Sequence, residues 1–598
     1  MPNEQKKILP IDYTNRDFQS IRDELMGIAE RFYPDTFQDF SEASFGSLML
    51  DAVAYVGDQL SFYLDYNVNE SFLDTAYQRN NILRHGRILG YKDTGRPSTY
   101  GQVALYVMVP ASSTGIGPSM SYMPILKRGA RFTSQNGLNF VLTENVDFAA
   151  TKNSVVVARV DETTGAPSYY AIKAYGNVVS GHFSQEEITV GPYQRYLKIK
   201  MSHSNVSEIV SVIDSQGNEY FEVDYLSQDM VFKEIANTNF QSDNVPSVIK
   251  PYLVARKFVV EQERFATYLQ FGSGKAGETD IVANPQRVAL DIFGKSYVTD
   301  TTFDPSRLSK NETFGIVPSN TTLTVVYRST NPNNSNVAAA GLNTVGAAKF
   351  DFKDRTGLVP ATTQTVINSL EVLNETPIVG DVTNINSGEL KRRIFDTFPT
   401  QNRAVTQADY ENLIYRLPAK FGSVKRCSAQ KDPDSLKRNL NLYVISQDQF
   451  GKLTTTNATI KNNIKTWLNQ YRMINDTIDI LDPYIINLGI DFVVKAQLGA
   501  DKFEILNSCI DALAAKYADP FFIGEQFYIS DIYQELKSIR GVLDVTQVKL
   551  TSKGGGNYSS TTIQINKNLS PDGSYLIAPK NTIFEIKFPN VDIRGKVK

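Results

Sequence analysis

The stretch from Ser44 to Val68, SFGSLMLDAVAYVGDQLSFYLDYNV, decides the fold of the N-terminal region. Five apolar side chains in it recur at alternating spacings of four and three residues, the seam spacing of a coiled coil: Met49, Val53, Val56, Leu60 and Tyr63. The positions that flank the seam are also apolar or neutral: Phe45, Leu50, Ala52, Gly57, Gln59, Leu64 and Tyr66. Because one partner helix cannot bury so wide a surface, the pattern predicts a helix that packs among at least two others.

The charges of this stretch are all negative. Asp51, Asp58 and Asp65 recur every seven residues at the outermost heptad position, and no Lys or Arg occurs between Arg31 and Arg79. We therefore expect an acidic exposed face. Two interpretations of the seam remain open: it packs against helices of its own chain, or against helices of other chains. The small amount of helix elsewhere in this region favours other chains.

Helical patterns also lie on either side of this stretch. Thr14 or Asn15 is expected to cap a first helix, and Pro34 to end it. Its apolar positions recur at helical spacing: Phe18, Ile21, Leu25, Ile28 and Phe32. A third helix is expected to be capped by Asp74 and to stop at Gly90. Residues 1–98 are thus predicted to be a helical bundle segment.

Further along the chain the pattern changes to β-strands and then to mixed structure. Short alternating runs such as TTLTVVYRS predict a β-rich domain over 99–305 and a second β-rich module over 306–386, which includes an Asn/Ala/Gly-rich loop. Helices and strands alternate over 387–550, which predicts α+β sandwich domains, and a short β tail covers 551–598. The predicted fold class is therefore multidomain α+β.

Composition excludes several classes of protein. The chain has 598 residues, of which 41% are hydrophobic and 21% charged, so it is long enough for several folded domains. A formal net charge of −3 argues against a nucleic-acid partner held by a general basic field. No signal peptide and no apolar run of about 18 residues occurs, so no membrane partner is expected. Two cysteines cannot form a disulfide framework.

Sequence motifs for chemistry are nearly absent. The three histidines lie far apart, and no HExxH, paired CxxC or GxSxG motif occurs. The run from Gly272 to Gly277 fits GxGxxG, but the residues after it make a poor helix, so a glycine-rich β-turn is favoured over a nucleotide site. We expect no enzyme activity, and no catalytic, cofactor or metal site.

Several short runs resemble the baseplate J-like wedge proteins of contractile-tailed phages, including the T4-like members. In the N-terminal region these are DYTNRDF at 12–18, Phe45-Gly46-Ser47, Ala54-Tyr55, the run 70–76 with Phe72 and Leu73, Arg79, and Leu89-Gly90-Tyr91. Val326-Tyr327-Arg328 before Asn336-Val337 is similar to the central signature of the family. Arg403-Ala404-Val405-Thr406 with Asp409-Tyr410 is similar to its C-terminal signature. The blocks occur in the family's order. Many relatives have Pro-Gly-Ser where this chain has Phe45-Gly46-Ser47.

The resemblance implies a structural subunit of the baseplate wedge, located in the virion and assembled in the host cytoplasm. It implies that two copies join other wedge subunits through an N-terminal helical bundle. The C-terminal domains would pair with neighbouring wedges in a ring around the hub, near the sheath initiator, and dilation of that ring would trigger contraction. Two alternatives remain open: the wedge subunit of a bacterial contractile injection system, and a carbohydrate-binding or carbohydrate-degrading tail protein.

Overall fold

The computed structural model describes residues 16–33, 44–93, 95–113, 116–228, 230–236, 247–263, 266–275, 314–330, 334–353, 356–382, 385–432 and 439–598. The chain forms two compact units: residues 1–92 with 386–398, and residues 93–385 with 399–598. Thr14, Asn15, Pro34, most of the DYTNRDF run and the predicted boundary at residue 305 lie outside the described residues. The predicted fold class is confirmed.

The α-helices of the described residues are α1 Phe18–Phe32, α2 Phe45–Glu70, α3 Arg79–Ile88, α4 Pro360–Asn368, α5 Ser387–Thr400, α6 Gln407–Tyr415, α7 Ala458–Leu468, α8 Lys502–Lys516, α9 Ile529–Ser538, α10 Ile565–Asn568 and α11 Pro589–Asp592. None of them is both long enough and apolar enough to span a membrane.

The strands up to residue 373 are β1 Tyr100–Pro110, β2 Pro124–Leu126, β3 Arg131–Ser134, β4 Asn139–Leu142, β5 Val146–Asp147, β6 Ser154–Val160, β7 Pro167–Ser180, β8 His182–Val190, β9 Lys198–Lys200, β10 Val206–Asp214, β11 Glu219–Glu222, β12 Met230–Ala236, β13 Ser247–Leu253, β14 Lys257–Glu263, β15 Ala266–Phe271, β16 Thr321–Ser329, β17 Leu342–Ala347, β18 Phe350–Phe352 and β19 Glu371–Leu373. Those beyond it are β20 Arg426–Lys431, β21 Asn439–Gln447, β22 Leu453–Thr455, β23 Thr477–Leu481, β24 Tyr484–Ala496, β25 Phe527–Tyr528, β26 Val542–Lys553, β27 Tyr575–Leu576, β28 Thr582–Glu585 and β29 Ile593–Val597.

In the first unit, α1 packs against the aspartate side of α2. Ile21 lies over Gly57, where an added Cβ would sit 3.2 Å from the Ile21 side chain. Arg22 pairs with Asp51 at 2.5 Å, and Arg16 pairs with Asp65 at 2.8 Å. The aspartate side of α2 thus faces α1 and pairs with its arginines, although Asp65 stays 54% exposed. The side of α2 that the unit leaves uncovered is apolar rather than acidic.

A carboxylate at the end of α2 caps α3. Glu70 accepts hydrogen bonds from the Tyr77 and Gln78 amides, at 2.8 and 3.2 Å, and from the Asn81 side chain at 2.8 Å. The Asn81 hydrogen bond is the main cause of the lowered pKa of Glu70. The prediction that Asp74 caps this helix is wrong: the N-cap residue is Gln78, and Glu70 accepts from the amides of Tyr77 and Gln78 at the entry to the helix. Gly90 follows the end of α3 and has φ +86°, the left-handed conformation that a glycine adopts where it stops a helix, as predicted.

A later segment of the chain completes the first unit. In α5, Leu390 and Ile394 are buried, and an added Cβ at Gly86 of α3 would lie 3.0 Å from Ile394. Lys391 donates a hydrogen bond to the Asp74 carbonyl at 2.7 Å. The helical unit therefore includes residues that lie about 300 positions after its first part.

In the second unit the two predicted β modules are interleaved. One sheet has the strand order β17-β3-β4-β7-β1-β19, with β6 also on β7, and another has β8-β16-β10-β11-β14-β15-β9. Strands after residue 306 thus sit inside or at the edges of sheets built from earlier strands. The Asn/Ala/Gly-rich stretch contains β17, which pairs with β3. Alternating hydrophobicity shows which face of a strand is buried but does not specify its neighbour.

The C-terminal part contains two α+β layers, each with its own apolar core. β20 to β23 pack with α6 and α7, while β24, β26, β28 and β29 pack with α8 and α9. β28 and β29 both pair in parallel with β24. The predicted tail 551–598 therefore supplies two strands of this last sheet.

A buried carboxyl group joins these two layers and makes stability depend on pH. Glu585 of β28 accepts hydrogen bonds from the Leu453 amide and the Asn487 side chain, each at 2.8 Å. Burial raises its pKa above the ordinary 4.5, although the charges of Lys587 and Lys452 oppose the rise. The folded protein thus holds this proton more tightly than the unfolded chain does, so the contribution of Glu585 to stability decreases as pH rises from 4.5 through the raised pKa.

We expect Glu585→Gln to remove this decrease, because the nearly isosteric amide carries no charge at any pH. The free energy of unfolding of the variant, relative to the wild type, should rise between about pH 4.5 and neutrality. Urea unfolding of both proteins across this range measures the difference. Parallel pH profiles would contradict the assignment.

Candidate protein interface

The predicted seam lies on the outer side of α2. Met49, Val53, Val56, Leu60 and Tyr63 are each 51–58% exposed within the chain. The residues of α2 that its own chain buries are Ser47, Ala54 and Glu70, which lie on the α1 side or at the α3 cap. The unit therefore leaves the whole seam available to other molecules.

A second apolar stripe widens this exposed surface. Leu48, Tyr55 and Phe62 are exposed, recur every seven residues, and were not recognised in the sequence as part of an interface. That seven-residue repeat was the signal for them. Together with the seam and its exposed neighbours they form what we call the apolar face of α2: Phe45, Leu48, Met49, Val53, Tyr55, Val56, Leu60, Phe62, Tyr63, Leu64 and Val68. Gly57, expected to flank the seam, instead faces Ile21 of α1.

The apolar face of α2 carries no charge. The charged residues of this helix are Asp51, Asp58, Asp65 and Glu70. Asp51 and Asp65 pair with α1, Glu70 caps α3, and Asp58 lies one turn from buried Ala54. An interface core depleted of charge and rich in aromatic and aliphatic side chains is typical of protein–protein contacts.

The size of the face indicates how many helices must cover it. Burying the exposed half of one large apolar side chain stabilises by about 1 kcal/mol, so the five seam residues together supply about 5 kcal/mol. Loss of translational and rotational freedom on association opposes this by about 4–15 kcal/mol. A stable complex therefore needs the wider face, which means more than one covering helix.

Of the remaining N-terminal signature residues, some are buried and others are exposed. Ser47 and Tyr91 are buried, and the Ser47 amide donates to the Ser44 side chain that caps α2. Phe45 and Phe72 are exposed. The other positions, which the structure does not join into one site, are Gly46, Leu73, Arg79 and Gly90.

The central signature lies in the β core of the second unit. Arg328 of β16 is only 1% exposed, and its guanidinium donates to the Ser98 hydroxyl at 3.0 Å and to the Ser180 carbonyl at 2.7 Å. It also donates to Glu208 at 3.2 Å. The adjacent Tyr327 is buried, and its hydroxyl lies 2.6 Å from His203 Nδ1. These buried residues therefore link neighbouring strands and the segments beside them.

Asn336, after this signature, ties three segments of the second unit together. Its side-chain amide donates to the Asp381 carbonyl at 2.9 Å and to the Gln447 carbonyl at 3.0 Å. Its side-chain oxygen accepts from the Asp381 amide at 3.0 Å. The buried Asn336 thus joins the end of the β region to β21 of the C-terminal part.

The C-terminal signature forms the start of α6. Thr406 accepts from the Asp409 amide at 3.2 Å, and Asp409 accepts from the Thr406 amide at 2.8 Å. This is the capping box that a Thr followed three residues later by an acidic residue predicts from the sequence. Tyr410 is buried and donates to Asp476 at 2.8 Å, while Arg403 is exposed. This signature therefore also positions structure.

We expect Thr406→Ala to lower the free energy of unfolding of the C-terminal part by about 1 kcal/mol, because one amide of the first turn loses its acceptor. Thr406→Ser keeps the hydroxyl and serves as the control. Hydrogen exchange of the α6 amides measures both variants. Equal protection in the alanine and serine variants would contradict the expected role of the cap.

The glycine-rich run has a structural explanation at its first residue. Gly272 follows β15 and passes so close to the neighbouring backbone that an added Cβ would lie 2.1 Å from the Phe314 carbonyl oxygen. Ala276 and Gly277 lie outside the described residues. In the part of the chain that the structure describes, no group of three or more His, Cys, Asp or Glu side chains is arranged to hold a metal ion.

Comparisons with known proteins bear on the N-terminal unit. Residues 17–88 match the family model for the N-terminal domain of bacteriophage baseplate proteins. No curated protein sequence matches the chain significantly. A cryo-EM structure of the anti-feeding prophage baseplate is 11% identical with a TM-score of 0.23, over 94% of this chain and 90% of that chain. One of the type VI secretion system TssK-TssF-TssG baseplate subcomplex is 8% identical with a TM-score of 0.23, over 72% and 95%.

TM-scores this low do not establish a shared fold, so the family-model match carries the comparison. It covers α1, α2 and α3 together, the same helices that present the apolar face of α2. Over residues 17–88 the chain is therefore similar to bacteriophage baseplate proteins, and this similarity supports a structural subunit of a baseplate.

Proposed function

We propose that this chain is a structural subunit of the baseplate wedge of a contractile phage tail. The observation that carries the proposal is the uncharged, exposed apolar face of α2, within a segment similar to phage baseplate N-terminal domains. An apolar face of this kind stabilises an assembly only when other helices cover it and remove it from water. In the proposed wedge, the apolar face packs into a helical bundle with a second copy and with an elongated wedge subunit.

In this role the protein works through its interfaces and its stiffness, and no residue acts as a catalyst. The C-terminal part would contact neighbouring wedges to form a ring around the hub, in the virion. The interleaved sheets of the second unit suit such a role, because buried strands and buried polar bridges such as that of Arg328 transmit force with little deformation. Dilation of the ring would then release sheath contraction.

Co-expression with candidate wedge subunits tests the proposal. We expect a complex that survives purification and whose native mass contains two copies of this chain with one elongated partner. A chain that stays alone beside every wedge candidate would contradict the proposal. The neighbouring genes distinguish the two settings. Capsid and terminase genes would indicate a phage, and effector genes would indicate an injection system.

A further inference from the structure

The chain passes between its two compact units more than once, and one ion pair lies close in sequence to two of the passages. Residue 92 is the last of the helical unit before the second unit begins, and the chain returns to the helical unit at residue 386. Arg96 follows the first passage and Asp381 precedes the second. The Arg96 guanidinium donates to the Asp381 carboxylate from Nη2 at 3.0 Å and from Nε at 3.2 Å. This ion pair, which lies within the second unit, therefore ties the two connections together.

The carboxylate of this pair is buried. The Asp381 side chain is only 2% exposed, whereas that of Arg96 is 25% exposed. The oxygen that binds Arg96 also accepts a hydrogen bond from the Ser335 amide at 2.9 Å. Burial raises the pKa of Asp381, and the positive charge of Arg96 opposes the rise. Because an unpaired buried charge is strongly unfavourable, the carboxylate form of Asp381 depends on Arg96.

The hydrogen bonds continue from Asp381 into the C-terminal part. The Asp381 amide donates to Asn336 Oδ1 at 3.0 Å, and Asn336 Nδ2 donates to the Asp381 carbonyl at 2.9 Å. The same Nδ2 donates to the carbonyl of Gln447, the last residue of β21, at 3.0 Å. Asn336 is 1% exposed. We call this continuous chain of contacts the relay: Arg96, Asp381, Asn336 and Gln447.

We propose that the relay couples the connections to the helical unit to the stability of the turn that follows β21. If Arg96 moves away, Asp381 must take up a proton from water or turn towards solvent. Either change alters the acceptor of the Ser335 amide and shifts the backbone to which Asn336 is bonded. Members of a buried hydrogen-bonded network strengthen one another, so the bond to Gln447 weakens as well. The coupling is a property of the isolated chain and does not depend on the wedge role.

Hydrogen exchange of the isolated full chain tests the coupling. We expect Arg96→Met to speed exchange at least about tenfold at residues 335–337 and, more than 300 positions from the change, at residues 447–453. Lys173→Met is the matched control, because the Lys173 side chain is also 25% exposed and pairs with Glu375, outside the relay. It should leave both segments unchanged. Unaltered exchange in α8, which belongs to a separate core, shows that the variants are folded.

A double-variant cycle tests whether the effect travels through Asn336. Asn336→Ala should itself speed exchange at residues 447–453, and adding Arg96→Met should then change it less than about twofold, because the link is already broken. If Arg96→Met does not fold, Arg96→Lys, which keeps the charge but not the paired donors, replaces it, with a smaller increase expected at the same residues. Faster exchange that stops at residues 335–337, an equal effect of Lys173→Met, or additive effects in the double variant would overturn the proposal.

Discussion

Replacing Val56 or Leu60 by Asp is expected to prevent the chain from joining its complex while leaving the isolated chain folded. Both side chains are more than half exposed, so a charge there remains hydrated in the free protein, and its stability should change by no more than about 0.5 kcal/mol. In a packed helical bundle the same charge loses its water, at a penalty of several kcal/mol. We therefore expect at least a hundredfold weaker association, since about 2.7 kcal/mol corresponds to that factor.

Circular dichroism and thermal unfolding of each variant alone, with pull-down by co-expressed wedge subunits, separate the two effects. Ile116→Asp is the matched control, because it makes the same kind of change at an exposed apolar residue of the second unit. Loss of helix in the isolated Val56 or Leu60 variant would mean that the face belongs to a private core. Normal assembly of both variants would remove the main support for the wedge proposal.

Replacing Arg328 by Met is expected to have the largest effect on stability. The change removes the donors that hold Ser98, Ser180 and Glu208 to β16, and it leaves buried acceptors without a partner. Breaking a buried charged network of this kind typically lowers the free energy of unfolding by about 3–5 kcal/mol. The loss should be largest around β16 and at the end of β7, where Arg328 reaches the Ser180 carbonyl.

Hydrogen exchange resolved along the sequence measures this effect better than one melting temperature, because a chain with several cores need not unfold in one step. Arg131→Met is the control, since Arg131 is an exposed arginine on a strand of the other large sheet. Unchanged protection of β16 in the Arg328 variant would show that the network contributes little.

Local signals in the sequence predicted local structure well. The heptad spacing from Met49 to Tyr63 lies within α2, Gly90 follows the end of α3, and Thr406 with Asp409 forms the capping box. Each of these features depends on residues within a few positions of one another. Their physical causes are therefore visible in the sequence alone.

Contacts between distant residues were not predictable in the same way. The pairing of Arg22 with Asp51 decides which side of α2 faces its own chain, and it joins residues 29 positions apart. The cap of α3 by Glu70 depends on the path of the intervening turn. In the β region, hydrophobic alternation is equally consistent with many strand orders, so the position of β16 between β8 and β10 was visible only in the structure.

The interleaved β sheets have a consequence for the timing of synthesis. Leu105 of β1 pairs with Val372 of β19, and β17 forms the opposite edge of the same sheet. At 5–20 residues per second, a ribosome needs roughly 15–55 s to make the residues between β1 and β19. During that interval the growing polypeptide carries an unfinished sheet with open edges. Chaperones that shield such edges, and the pace of translation through residues 106–371, should therefore influence how much folded protein the cell obtains.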